Sequence, residues 1–247
     1  NPGLRIVDGE KQISGLRLCK TPDEIAALRA AIAVAEDALT DLLPQIRAGM
    51  TEMQVESLLI QALFAHGAQD LAFGPIVAAA DNSARPHAHA RPDYIIQPGD
   101  ALLLDFGARK SGLVSDITRT FFIGHATDEA HQVYDTVLRA NLAGFTATKP
   151  GATAHDIDDA VISVLEASPF ADRIRTKTGQ GLGRDVREAP YIMRGNMQVM
   201  EPGMVYTNEP GLYQIGAFGV RIEDDVLVTA SGCESLTSFP KDLTVIG

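Results

Sequence analysis

The sequence predicts an α+β fold, with helices packed on one side of a mainly antiparallel sheet. Three observations carry that expectation. Four stretches show apolar residues at helical spacing, strand-like runs lie between them, and the order along the chain is helix–helix–strands–helix–helix–strands. The two halves repeat this order roughly, which predicts an internal pseudo-repeat.

Residues 1–20, with scattered glycine and charge, read as a connector. The first helix starts at Thr21, an N-cap followed by Pro22 at the first helical position and by Glu24, which completes a capping box. Ile25, Leu28, Ala31, Ile32 and Ala35 form its apolar stripe, Pro44 ends or kinks it, and Gly49 closes the segment. A second box, Thr51 with Gln54, opens a helix whose apolar face is Val55, Leu58, Leu59, Ala62 and Leu63, with Gly67 as its C-cap. Phe73–Ala80, Ala101–Gly107 and Leu113–Ile123 then read as strands, rich in β-branched and aromatic residues. Helices follow from about Thr127 to Thr148 and from about Thr153 to Ala167. Strands and glycine-rich turns fill the chain from Arg173 through Val228.

Composition excludes several classes of function. The 247 residues carry 21 Lys+Arg against 32 Asp+Glu, a net charge of −11, which argues against nucleic acid because phosphate binding needs a basic surface. The longest apolar runs, such as Ile76–Ala80 and Ala101–Leu104, fall far short of the roughly 20 residues a membrane span requires, so no membrane partner is expected. Asn1–Lys20 lacks the apolar core of a signal peptide. Two cysteines, Cys19 and Cys233, cannot build a disulfide framework, which fits a cytoplasmic protein.

The chemical signal is acidic. Asp105 and Asp116 each interrupt an apolar strand, with Arg109-Lys110-Ser111-Gly112 between them. A hairpin folding between Lys110 and Ser111 places the two aspartates opposite each other, where Cβ atoms stand about 4.5–5.5 Å apart on one face. Carboxylates so placed repel unless a proton or cation lies between them, and a divalent ion with oxygen ligands is the usual answer. Glu209 and Glu223 repeat the pattern, with Gly216 midway between them. One such pair fits a solvated hairpin face; two pairs, each symmetric about a turn, point to a site in which two metal ions about 3.5–4 Å apart activate a bridging water.

Five segments then carry a resemblance: Leu104–Gly107, Ser115–Thr120, Glu201–Met204, Asn208–Tyr213 and Val220–Asp224. In order and content they resemble the signatures of the pita-bread metallopeptidases, and most closely those of the Xaa-Pro dipeptidase (prolidase) and aminopeptidase P branch. The resemblance implies a pseudo-symmetric domain over 21–247, with helices flanking a curved antiparallel sheet. It also implies a small peptide substrate cleaved near its N-terminus, before proline, and a homodimer. Many relatives carry an additional N-terminal domain, which the resemblance places before this chain or as removed from it. The family holds its metals with two Asp, one His and two Glu; by motif Asp105, Asp116, Glu209 and Glu223 match four of these. Glu209 takes a second role as acid and base for the water. His87, which follows Pro86, matches the pocket histidine better than His89 does.

The histidines on the other side depart from the pattern. Gln180 stands in Gly179–Gly183 where the family has its metal-binding His, Arg187 stands where it has the His that steadies the tetrahedral intermediate, and a third His position falls near Thr176. A site of carboxylates with an amide favours Mn²⁺, Mg²⁺ or Ca²⁺ over Zn²⁺ or Co²⁺, with one position weak or empty. The expectation is a metal-dependent hydrolase holding one or two divalent ions, Mn²⁺ first with Co²⁺, Zn²⁺ and Mg²⁺ as alternatives, with Gln180 as a weak ligand and Arg187 steadying an oxyanion. Two other readings stay open. In one, Arg184 or Arg187 reaches between the acids in place of metal, leaving an inactive domain that binds a peptide or protein. In the other, the chain hydrolyses a small non-peptide amide.

Overall fold

The computed structural model describes residues 3, 4 and 6–247, with only the backbone of Lys11. Its first helix is α1, Glu10–Leu18, inside the segment read from sequence as a connector. That segment is tied down by charge: Arg17 and Lys20 both pair with Glu188, Lys20 Nζ at 3.2 Å from Oε2. No local pattern marks α1, because the partner of its charges lies some 170 residues away.

The capping boxes form as read. In α2, Pro22–Leu42, the Glu24 amide donates to Thr21 Oγ1 at 3.3 Å, and in α3, Glu52–Ala65, the Gln54 amide donates to Thr51 Oγ1 at 3.1 Å. Such caps contribute about 1 kcal/mol each. Pro44 lies in a short 3₁₀ turn, Leu43–Gln45, directly after α2. Leu28, Ile32, Ala35 and Leu39 of α2 and Val55, Leu59 and Leu63 of α3 are buried in one cluster with Val77, Leu102, Leu104 and Ile117. The second half repeats this. Helices α4, Asp128–Ala147, and α5, Ala154–Glu166, pack Val133, Val137, Val161 and Leu165 on Phe122, Leu212 and Val220.

The strands are β1 (Asp70–Leu71), β2 (Ile76–Ala79), β3 (Ala101–Phe106), β4 (Ala108–Lys110), β5 (Leu113–Val114), β6 (Ile117–Ile123), β7 (Gly179–Gly181), β8 (Glu188–Ile192), β9 (Val205–Asn208), β10 (Gly211–Tyr213), β11 (Gly219–Arg221), β12 (Asp224–Val228), β13 (Cys233–Ser235) and β14 (Thr244–Ile246). The last two lie beyond Val228, where the sequence reading stopped. One sheet runs β14-β6-β3-β2 and another β13-β12-β9-β7-β8, with small sheets β1-β4-β5 and β10-β11. Among the described residues, pairing is antiparallel except for β14 with β6. The two halves join where Glu223 bridges to Thr118, the Glu223 amide donating to the Thr118 carbonyl at 3.1 Å. Beneath that seam, buried Asp224 takes Arg119 and Lys241, each at 2.7 Å.

The first acidic hairpin differs from the expected register. Arg109 faces Val114, Lys110 faces Leu113, and Asp105 faces Thr118 rather than Asp116. The turn is Ser111-Gly112, both residues at positive φ (50° and 79°), the two-residue geometry that matches strand twist. The second hairpin has the register read from sequence. Gly211 faces Arg221, Tyr213 faces Gly219, and the Ile222 amide donates to the Pro210 carbonyl, so the ladder is symmetric about Gly216.

Candidate metal centre and active site

Asp105 is reached along β3 and is nearly buried. Asp116 lies in the break between β5 and β6, where the chain leaves the ladder. Gly107 makes that break possible: a Cβ there would sit 1.8 Å from the Ser115 carbonyl oxygen. Asp116 therefore meets Asp105 from a kink, although it is not its strand partner. The Asp116 amide donates to Asp225 Oδ2 at 3.2 Å, which fixes the kink against β12. Glu223 enters from the other half, its carboxylate accepting from the Thr118 hydroxyl. Asp105, Asp116 and Glu223 each present an oxygen, and these atoms lie within 4.8 Å of one another. Asp105 Oδ1 is buried and unpartnered among the described residues, as an oxygen left for a cation would be.

Glu209 follows β9. Its amide donates to the Thr178 carbonyl at 2.7 Å, and Thr207 Oγ1 donates to its Oε1 at 3.0 Å. The same Thr207 oxygen accepts from the Gln180 amide at 3.2 Å, so one hydroxyl aligns β7 with Glu209. Asp158 of α5 pins the start of β7 by accepting from the Thr178 amide at 3.0 Å. Gln180 is flanked by Gly179 and Gly181, whose absent Cβ atoms would stand 1.7 Å from the Thr207 and 2.1 Å from the Ala189 carbonyl oxygens. Only glycine lets β7 lie so close to both neighbours. Gln180 Oε1 accepts a 2.5 Å hydrogen bond from Lys177 Nζ.

The acids, with Gln180, His87, His89, Arg187 and Arg221, line one cavity of 560 Å³. A larger groove of 720 Å³ around Arg47–Leu58 has no acidic lining. Electrostatics inside the cavity follow from crowding. Burial, then Glu223 and Asp105, push Asp116 well above the usual carboxylate range. Burial, then Glu209 and Asp105, do the same to Glu223. Burial also raises Glu209, against the pull of Arg221 and Lys177. His87 is lowered by burial, then by Arg187 and Arg221, which favours its neutral form.

Positive charge does enter the acidic cluster, but not from the arginines expected. Arg184 turns outward to Glu24 at 3.1 Å, and Arg187 lines the cavity while pairing with none of the four acids among the described residues. The cation is Arg221. Its Nη2 lies 2.5 Å from Asp105 Oδ2, its Nη1 donates to the Tyr213 hydroxyl at 2.9 Å, and its Nε donates to Thr118 Oγ1 at 3.0 Å and lies 3.9 Å from Glu223 Oε2. Arg221 stands two residues before Glu223, so strand alternation already puts both on one face. Guanidinium binds one edge of Asp105 and leaves the other edge, with Asp116 and Glu223, facing inward. The remnant reading, in which arginine takes the place of metal, thus fails on geometry for Arg184 and Arg187.

The donor set on this side fits a hard divalent ion held by three carboxylates. Comparison with known proteins bears on the rest. Residues 26–230 match the model of metallopeptidase family M24. The chain belongs to that family. It is 36% identical to "Uncharacterized peptidase YqhT" of Bacillus subtilis over 241 residues, covering 98% of this chain and 68% of the relative. It is 35% identical to the Xaa-Pro dipeptidase of Lactobacillus helveticus over 235 residues, covering 95% and 64%. The crystal structure of an X-Pro aminopeptidase from Thermotoga maritima superposes with a TM-score of 0.93 at 35% identity, covering 96% of this chain and 67% of that one. The chain therefore spans about two thirds of the length of these relatives. The fold is the pita-bread fold of this M24 peptidase, a hydrolase family that works on peptides with a divalent metal. Among the described residues no helix is long and apolar enough to cross a membrane.

Proposed function

We propose that this M24 peptidase hydrolyses the bond before proline in short peptides, with an altered metal site. The observation that carries the reading is the convergence of Asp105, Asp116 and Glu223 with Glu209 in one cavity fronted by His87 and Arg187. Asp105, Asp116 and Glu223 would hold the ion. A divalent ion there supplies a Lewis acid and a water acidic enough to attack at neutral pH. Glu209 receives the water proton, which its raised affinity for protons favours, and the Thr207 hydroxyl aims it. His87, neutral at pH 7, offers a ring nitrogen to the substrate carbonyl. Arg187, whose guanidinium has no carboxylate partner among the described residues, steadies the oxyanion but cannot move a proton at neutral pH. Gln180 is the weak member of the set, since its carbonyl oxygen is already engaged by Lys177. The all-oxygen donor set supports Mn²⁺ over Zn²⁺ or Co²⁺. The same reading takes the working unit as a homodimer, on the resemblance alone, and its place as the cytoplasm, on its two cysteines.

The test assays an Xaa-Pro dipeptide after loading with Mn²⁺, Co²⁺ or Zn²⁺ and removal of free ion. Turnover with Mn²⁺ is expected, falling about 10²–10⁴-fold in Glu209→Gln with bound metal retained. No turnover with any of the three ions overturns the reading.

A further inference from the structure

The geometry points to a centre that holds one divalent ion, on Asp105, Asp116 and Glu223, with the Lys177 ammonium engaging the Gln180 carbonyl oxygen that a second ion would need. This rests on the metallopeptidase reading above and deepens it.

Three observations carry it. The first is the donor geometry. The three acids with mutually close oxygens exclude Glu209, so one ion can use the triad without it. The second is the state of the other donors. Gln180 offers one carbonyl oxygen, and Lys177 Nζ lies 2.5 Å from it and 3.0 Å from the Gly179 carbonyl. Glu209 Oε1 accepts from the Thr207 hydroxyl at 3.0 Å. An ion on that side would have to displace the ammonium from its two acceptors. The third is charge. Glu209 feels Lys177 as well as Arg221. Arg221 and Lys177 thus already bring positive charge to the acids, which lessens the need for a second divalent ion. Without an imidazole at position 180, the ammonium completes the neutralisation that a second ion would otherwise supply.

Lys177 therefore acts as a positioning cation. It fixes the Gln180 side-chain amide and brings positive charge to Glu209, which would take the proton of a water on the single ion. Arg187, Arg221 and Lys177 all lower the proton affinity of His87, after burial.

The experiment counts Mn²⁺ per chain by elemental analysis after dialysis, and follows the spin-resonance spectrum for the coupling that appears only between paired ions. The wild-type chain is expected to hold one ion with an uncoupled spectrum. Gln180→His alone is expected to stay near one, because Lys177 remains. Lys177→Met combined with Gln180→His is expected to hold two, with coupling, in protein whose melting confirms that it is folded. Two coupled ions in the wild type, or none, overturn the proposal, as does a folded double variant that still holds one. Xaa-Pro turnover on the same samples separates the readings. One ion without turnover sinks the substrate assignment and keeps this inference; two ions with turnover do the reverse.

Discussion

At the scale of single residues, the acids are unstable company. Asp116 is fully buried beside two carboxylates, and only a proton or a cation makes that arrangement tolerable. Asp116→Asn removes one charge while keeping the hydrogen-bonding shape. The variant is expected to lose bound Mn²⁺ yet melt, metal-free, no lower than the wild type and up to about 2–4 °C higher, which corresponds to roughly 1 kcal/mol in a chain of this size. Calorimetry of chelator-treated protein checks it; a drop of several degrees would mean that Asp116 is bound by favourable contacts rather than strained by its neighbours. The four acids were legible in the sequence because each interrupts an apolar strand. Arg221 was equally legible, by the same alternation that placed Glu223, but attention to Arg184 and Arg187 passed over it. Lys177 was not legible: it lies in a segment between α5 and β7 with no periodic pattern to orient it.

At the scale of elements, the two hairpins show where sequence reading holds. Gly216 centres its hairpin because the symmetric glycine is also the turn. The other hairpin turns on Ser111-Gly112, and the Ser-Gly pair, tolerant of left-handed backbone, was the signal against a fold between Lys110 and Ser111. Helix N-termini were read to the residue because capping boxes are local; α1 was missed because its anchors are distant. A second buried ion pair governs the loop that carries His87 and His89. Glu52, at the start of α3, accepts from the Ala79 and Arg91 amides at 2.7 Å each and from Asn82 Nδ2 at 3.0 Å, and pairs with Arg91 Nη2 at 2.8 Å. Arg91 also stacks over Tyr94, 3.9 Å from the ring centre. Removing the carboxylate strands all these donors, so Glu52→Ala is expected to cost about 3–5 kcal/mol in denaturant unfolding. Glu52→Gln, which keeps some acceptors, should cost less, and a loss under 1 kcal/mol for the alanine variant would contradict the clamp.

At the scale of the whole molecule, the fold class, its pseudo-repeat and the family signatures followed from patterns spread along the entire chain, which is why they survive local errors of register. The metal-free protein has an unusual pH response. The raised affinities of Asp116, Glu209 and Glu223 mean that the folded state holds protons the unfolded chain has released. Their contribution to stability is therefore present at low pH and is lost as pH rises from about 4, the ordinary carboxylate value, through their elevated folded values. Metal must displace those protons, so Mn²⁺ binds better and stabilises more as pH rises. The gain in melting temperature on adding Mn²⁺ should be small at pH 5 and larger at pH 8; a gain that is flat or falls with pH would contradict it.

Asp105 and Asp116 come from the first half of the chain, Glu223 from the second, and the backbone bridge at Thr118 lies directly beside them. An ion on that triad is consequently a clasp across the floor of the cavity, while the pairing of β14 with β6 joins the two lobes elsewhere. Its departure would slacken the floor and leave the lobes attached.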